Sequence, residues 1–163
     1  MAYHRLTLLV LGAALAGPVR LAAQAPASPD AAVNAFMKAV ADSNMTRMMQ
    51  LWGTEKGSAA KTKQPPDYQK RVYVMYSYLR GASYRISGMQ PDTSDAKRRS
   101  MLVEFKRNDC TSQARVRVAK SKDEGWLVNW IDLAAVGTPG RQCTDGQQSA
   151  PEQVPAKPAP AGQ

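Results

Sequence analysis

Near Ala82 the apolar residues of this chain change their spacing, and the change limits what the chain can become. Upstream they recur at intervals of three and four; downstream they recur at every second position. The first spacing gathers them on one stripe of a helix, the second on one face of a strand. Such elements share a core by lying helix on sheet, an α+β arrangement. The expected fold is three N-terminal helices packed on one face of a curved, mainly antiparallel four-stranded sheet.

The first helix opens at Ser28-Pro29-Asp30. Ser28 can cap it, Pro29 suits the first helical position, and Asp30 complements the positive helix end. Val33, Phe36, Met37 and Val40 form its stripe, and Asp42-Ser43-Asn44 stops it and offers a cap for the next helix. Met45, Met48, Met49 and Trp52 form a second stripe, with Gly53 as its stop. Methionines at this spacing are core filler rather than a metal or promiscuous surface. Residues Thr54 to Pro66 read as a basic, structureless and mobile connection. Pro65-Pro66-Asp67 opens a third helix, whose face is Tyr68, Val72, Met75, Tyr76 and Leu79, and Gly81 closes it.

The strands follow. Tyr84, Ile86 and Gly88 alternate, Pro91 to Lys97 is a polar hairpin loop, and Met101, Val103 and Phe105 alternate again. Asn108-Asp109 is a two-residue turn. It pairs residue 107 with 110 and sets Phe105, Val103 and Met101 opposite Ser112, Ala114 and Val116. Arg115 and Arg117 then point to the other face. The last strand runs from Trp126 to about Leu133. Alternation puts Trp126, Val128 and Trp130 on one face, and Leu127, Ile131 and Leu133 on the other. Two apolar faces imply a strand covered on both sides or one at a dimer contact, so the outer face is a candidate homodimer surface.

Residues 1–23 read as a secretory signal: a short basic start, an apolar block from Leu6 to Gly17, and small residues before Gln24. The block is shorter than the roughly 20 residues a membrane span needs, so no transmembrane segment is expected in the mature chain. The domain spans 28–143, and 144–163 is a Pro-, Ala- and Gln-rich disordered tail. The expected location is exported, periplasmic or extracellular. The formal charge is +9, and loss of Arg5 and Arg20 with the signal leaves +7. The signal also takes His4, the single histidine. Histidine-based acid–base chemistry, Ser-His and Cys-His nucleophiles and His-ligated metals are thereby excluded from the mature chain. After export the basic residues favour an anionic envelope surface over nucleic acid as a partner class.

Cys110 and Cys143 are the only cysteines. In an exported domain they form a disulfide by default, pinning the sheet end to the loop that follows it.

The capped helix Ser28-Pro-Asp-Ala-Ala-Val-Asn-Ala-Phe36, the Met/Trp helix, the third helix and the closing Gly125-Trp126-Leu-Val-Asn-Trp-Ile-Asp-Leu133 resemble the nuclear transport factor 2-like superfamily of cystatin-like α+β cones. They resemble especially its small secreted bacterial members of undefined function. The resemblance covers Ser28 to Leu133 and implies a cone-shaped cavity between sheet and helices. Some members use that cavity as an active site for isomerase, dehydratase or cyclase chemistry; others bind ligands or dimerise. No catalytic residue of the superfamily carries over to this chain.

There is no GxSxG, HExxH, P-loop, CxxC or dinucleotide fingerprint, and no cofactor or metal is expected. The leading expectation is an exported, non-enzymatic domain that binds a small apolar ligand or an envelope protein. Phe36, Trp52, Tyr76, Trp126 and Trp130 are the candidate pocket residues. One alternative is a pocket enzyme, with Asp132 as a base whose pKa is raised by an apolar cavity and Tyr76 or Tyr84 as the donor. The other is an envelope-surface attachment module using the basic loops.

Overall fold

The four-stranded antiparallel sheet and the helices that cover it descend directly from the two apolar spacings. The computed structural model describes residues 25–91 and 95–140. The expected signal, the expected tail and Cys143 lie outside the described residues. The order is α1 (Pro29–Ala41), α2 (Met45–Leu51), β1 (Gly53–Thr54), β2 (Gly57–Ser58), α3 (Ala59–Thr62), α4 (Tyr68–Leu79), β3 (Ser83–Pro91), β4 (Arg98–Arg107), β5 (Cys110–Ser121), β6 (Gly125–Ile131) and α5 (Leu133–Val136).

Helix starts follow local capping chemistry. Ser28 Oγ accepts from Ala31 N at 3.1 Å, and Asn44 Oδ1 accepts from Arg47 N at 2.9 Å. Each satisfies a backbone donor that the first turn leaves without a partner. α1 lies across β4, β5 and β6, and α4 packs against α2 and α5. The core between them holds Phe36, Met48, Leu51, Val72, Leu79, Met101, Val103, Val116 and Val128, all almost fully buried. Each large aliphatic or aromatic side chain removed from water contributes about 1.5–3 kcal/mol. The methionines Met37, Met48, Met75 and Met101 are part of this core, as their helical or strand spacing implies.

The main sheet runs β3-β4-β5-β6, antiparallel throughout. The turn at Asn108-Asp109 pairs Arg107 with Cys110, and Phe105, Val103 and Met101 stand opposite Ser112, Ala114 and Val116 as expected. Asn108 has φ 53°, a conformation that asparagine tolerates in tight turns. Cys110 is not a free thiol.

The stretch from Thr54 to Pro66 differs from expectation. It contains the β1–β2 hairpin and the one-turn helix α3, with Ser58 and Ala59 buried. A Cβ on Gly53 would run into Gly57 O and Ser58 Cα, so the hairpin closes only because position 53 has no side chain. Ser58 N and Ser58 Oγ donate to the two carboxylate oxygens of Glu124, each at 2.8 Å. The ordering force is a partner 66 residues away, which local composition does not display. α1, α2 and α4 fall where helices were expected, but α3 before the sheet and α5 after it are additional, so the described residues hold five helices and not three.

The last strand differs too. β6 ends at Ile131; Asp132 caps α5, and Leu133 begins that helix. Val118 pairs with Val128 but Arg117 pairs with Trp130, so Asn129 is an extra, bulged residue. One inserted residue exchanges the faces beyond it. Trp130 turns outward and is 39% exposed, while Ile131 turns inward opposite Val116. The expected grouping of Trp126, Val128 and Trp130 on one face therefore ends at Val128.

Candidate functional site

The described surface has clefts at α3 and at α4. The larger, about 420 Å³, lies between the N-terminal residues Ala25-Pro26, α3 and the β5–β6 turn. Its polar groups are engaged with one another. Glu124 holds Ser58, Lys61 reaches Asp123 at 3.4 Å, and Pro26 O accepts from Trp126 N at 2.9 Å. Gly125, at φ +68°, lets Pro26 O approach where a Cβ would collide. This cleft works as a clasp that ties the chain entry to the sheet.

The second, about 310 Å³, is a groove between α4 and the end of β6. It is built from four elements. Trp52 follows α2, Val74 and Met75 come from α4, Asn129, Trp130 and Ile131 end β6, and Leu133 starts α5. The β6 bulge makes it possible. Trp52 Nε1 donates to Asn129 O at 3.1 Å, and Asn129 Nδ2 donates to Gly53 O at 2.9 Å. These two bonds, with the parallel bridge between Trp52 and Val128, hold the extra residue in place. They satisfy the polar groups that a bulge takes out of the ladder.

Trp130 is held from the side opposite the core. The Arg117 guanidinium lies 4.4 Å from the centroid of its ring, within cation–π range. The rim of the groove carries Asp67, Lys70 and Arg71. Arg71 Nε donates to both oxygens of Asp67, at 2.9 and 3.0 Å. That bond holds the Asp67 carboxyl below its ordinary value.

Of the candidate pocket residues, Trp52 and Trp130 come together here. Phe36 and Trp126 are buried in the core, and Trp126 has the Arg99 guanidinium 5.8 Å above its ring. Tyr76 packs against the core and its hydroxyl shares a 2.9 Å hydrogen bond with Ser43 Oγ. The Tyr84 hydroxyl donates to Asn34 Oδ1 at 3.0 Å, and burial raises its pKa. Asp132 Oδ1 accepts from Ala135 N at 3.2 Å. Hydrogen bonds among the described residues thus take Asp132, Tyr76 and Tyr84 to three different partners. Among the described residues no three His, Cys, Asp or Glu side chains cluster as metal ligands, and no helix is long and apolar enough to cross a membrane.

Sequence reasoning did not single out Lys70, Val74, Asn129 or Leu133 as site residues. Val74 had a signal: it is an apolar residue off the α4 stripe, and it is exposed. Asn129 had none, because the bulge depends on Trp52 and Gly53. No family model matches the chain, and no curated protein matches its sequence.

Proposed function

We propose that this chain is an exported, non-enzymatic binding domain whose groove between α4 and β6 takes a small apolar ligand. The observation that carries the reading is the meeting of Trp52 and Trp130 on one groove of about 310 Å³ at the edge of the packed core, where Met75 and Ile131 form part of its lining. Grooves of this size, apolar and bordered by a few polar groups, suit small molecules. Phe36, Met48, Met101 and Trp126 belong to the packed interior instead. The helix-on-sheet order supports kinship with nuclear transport factor 2-like cones, with binding moved to the rim. Export through cleavage before Gln24, and a Cys110–Cys143 bridge, belong to the same proposal.

The neutral fluorophore N-phenyl-1-naphthylamine tests it. Its emission rises in apolar surroundings, and the wild-type protein is expected to enhance it saturably. Trp130→Ser removes the outer wall of the groove without touching the core and is expected to abolish the enhancement while the fold persists by circular dichroism. Enhancement that survives Trp130→Ser rules the groove out.

A further inference from the structure

The rim of the groove carries an uneven set of charges. Asp67 and Arg71 hold each other through two short hydrogen bonds, so that acid and that base cancel. Asp132, between the groove residues Ile131 and Leu133, uses its Oδ1 to cap α5. Arg117 covers the Trp130 ring. Lys70 enters no ion pair among the described residues. Its charge reaches Asp67 only as a pull weaker than the bond from Arg71. The groove therefore presents an apolar floor and one ammonium group available at its edge.

We infer that the groove takes a free, single-tailed anionic amphiphile, with its tail against Trp52, Val74, Trp130 and Leu133 and its acid head at Lys70. The inference rests on the groove being the binding site. Charge selects the head: a cationic end is repelled at Lys70, whereas a carboxylate gains a partner whose own stem can lie along the apolar wall. Volume selects the tail: about 310 Å³ is the room of about ten water molecules. That is the lower end of small-molecule pocket volumes, a scale that suits a single-tailed amphiphile or the fluorophore and falls short of a two-chain membrane lipid.

Octanoate and octylammonium have the same tail and opposite heads, and each can compete with N-phenyl-1-naphthylamine at pH 7 and low salt. Octanoate is expected to displace the probe at about three- to tenfold lower concentration. The net positive chain favours anions everywhere, so the rim charge must be isolated. Lys70→Gln is expected to bring the two ligands within about twofold, and Lys70→Arg to restore the preference. Lys70 is exposed and outside the core, so neither change disturbs folding. Equal displacement by both ligands, or a preference that survives Lys70→Gln, overturns the anionic assignment and leaves the groove reading standing. Failure of the wild-type protein to bind the neutral probe removes the groove reading, and this inference with it.

Discussion

Arg117 on β5 stands directly opposite Trp130 on β6, with its guanidinium 4.4 Å from the centroid of the indole ring. The pairing exists because Asn129 bulges; without the extra residue Trp130 would fall on the core side of the sheet. The stacked arginine keeps a large exposed ring in one position beside the groove.

Removing that cover has a measurable consequence. Arg117→Ala is expected to destabilise the fold by about 0.5–1 kcal/mol in urea unfolding and to weaken probe binding. Arg117→Lys should recover only part of both effects, because an ammonium lacks the flat face that stacks. Unchanged probe affinity in Arg117→Ala would show that the ring needs no support.

The bulge itself can be probed through its two bonds. Asn129→Ala and Trp52→Phe each remove one donor, at a cost of about 1 kcal/mol per lost hydrogen bond. Since both act on the same extra residue, their effects should not add. Strict additivity in a double-mutant cycle would mean that the two bonds hold separate features.

Glu124 accepts two bonds from Ser58 in a half-buried site. Hydrogen bonds to a charged group contribute about 1.5–3 kcal/mol, so Glu124→Gln is expected to cost about 2 kcal/mol. Amide exchange should quicken at β1, β2 and α3 before it quickens in the main sheet. Uniform acceleration across the domain would argue against a local clasp.

Acid should loosen the same region. The hydrogen bond from Arg98 holds the Glu55 carboxyl below its ordinary value of 4.5. A carboxyl with a depressed folded pKa stabilises the fold above its unfolded pKa, and the benefit is lost as pH falls through the folded value. Wild-type protein should therefore melt higher than Glu55→Gln at pH 7, with the gap closing well below pH 4.5. A gap that is the same at both pH values would contradict this coupling.

Mass spectrometry of exported protein tests the proposed processing and bridge together. The expected species begins at Gln24 and carries no reactive thiol. Reduction should lower stability by about 3–4 kcal/mol, the loop-entropy figure for a link between Cys110 and Cys143. An intact leader, or two thiols open to alkylation, defeats that part of the proposal.

The helix stripes, the caps at Ser28 and Asn44 and the β4–β5 register are all legible in the amino-acid sequence. Each depends on neighbours a few residues away: three- and four-residue spacing for the helices, Asn108-Asp109 for the hairpin. Trp52 and Trp130 stand out in the sequence only as large aromatic residues, and the face that Trp130 takes there is the wrong one.

Their meeting is not legible there, nor is the ordered hairpin between Thr54 and Pro66. The bulge at Asn129 answers to Trp52 and Gly53, more than 70 residues away in the chain, and Ser58 answers to Glu124. Period-2 alternation assumes an unbroken ladder, so one inserted residue reverses every face beyond it. Local spacing set the elements and most of their pairing in this protein. Contacts between distant segments decided which way Trp130 faces, and so where the groove lies, because a bulge is held by bonds to other strands and helices rather than by its own neighbours.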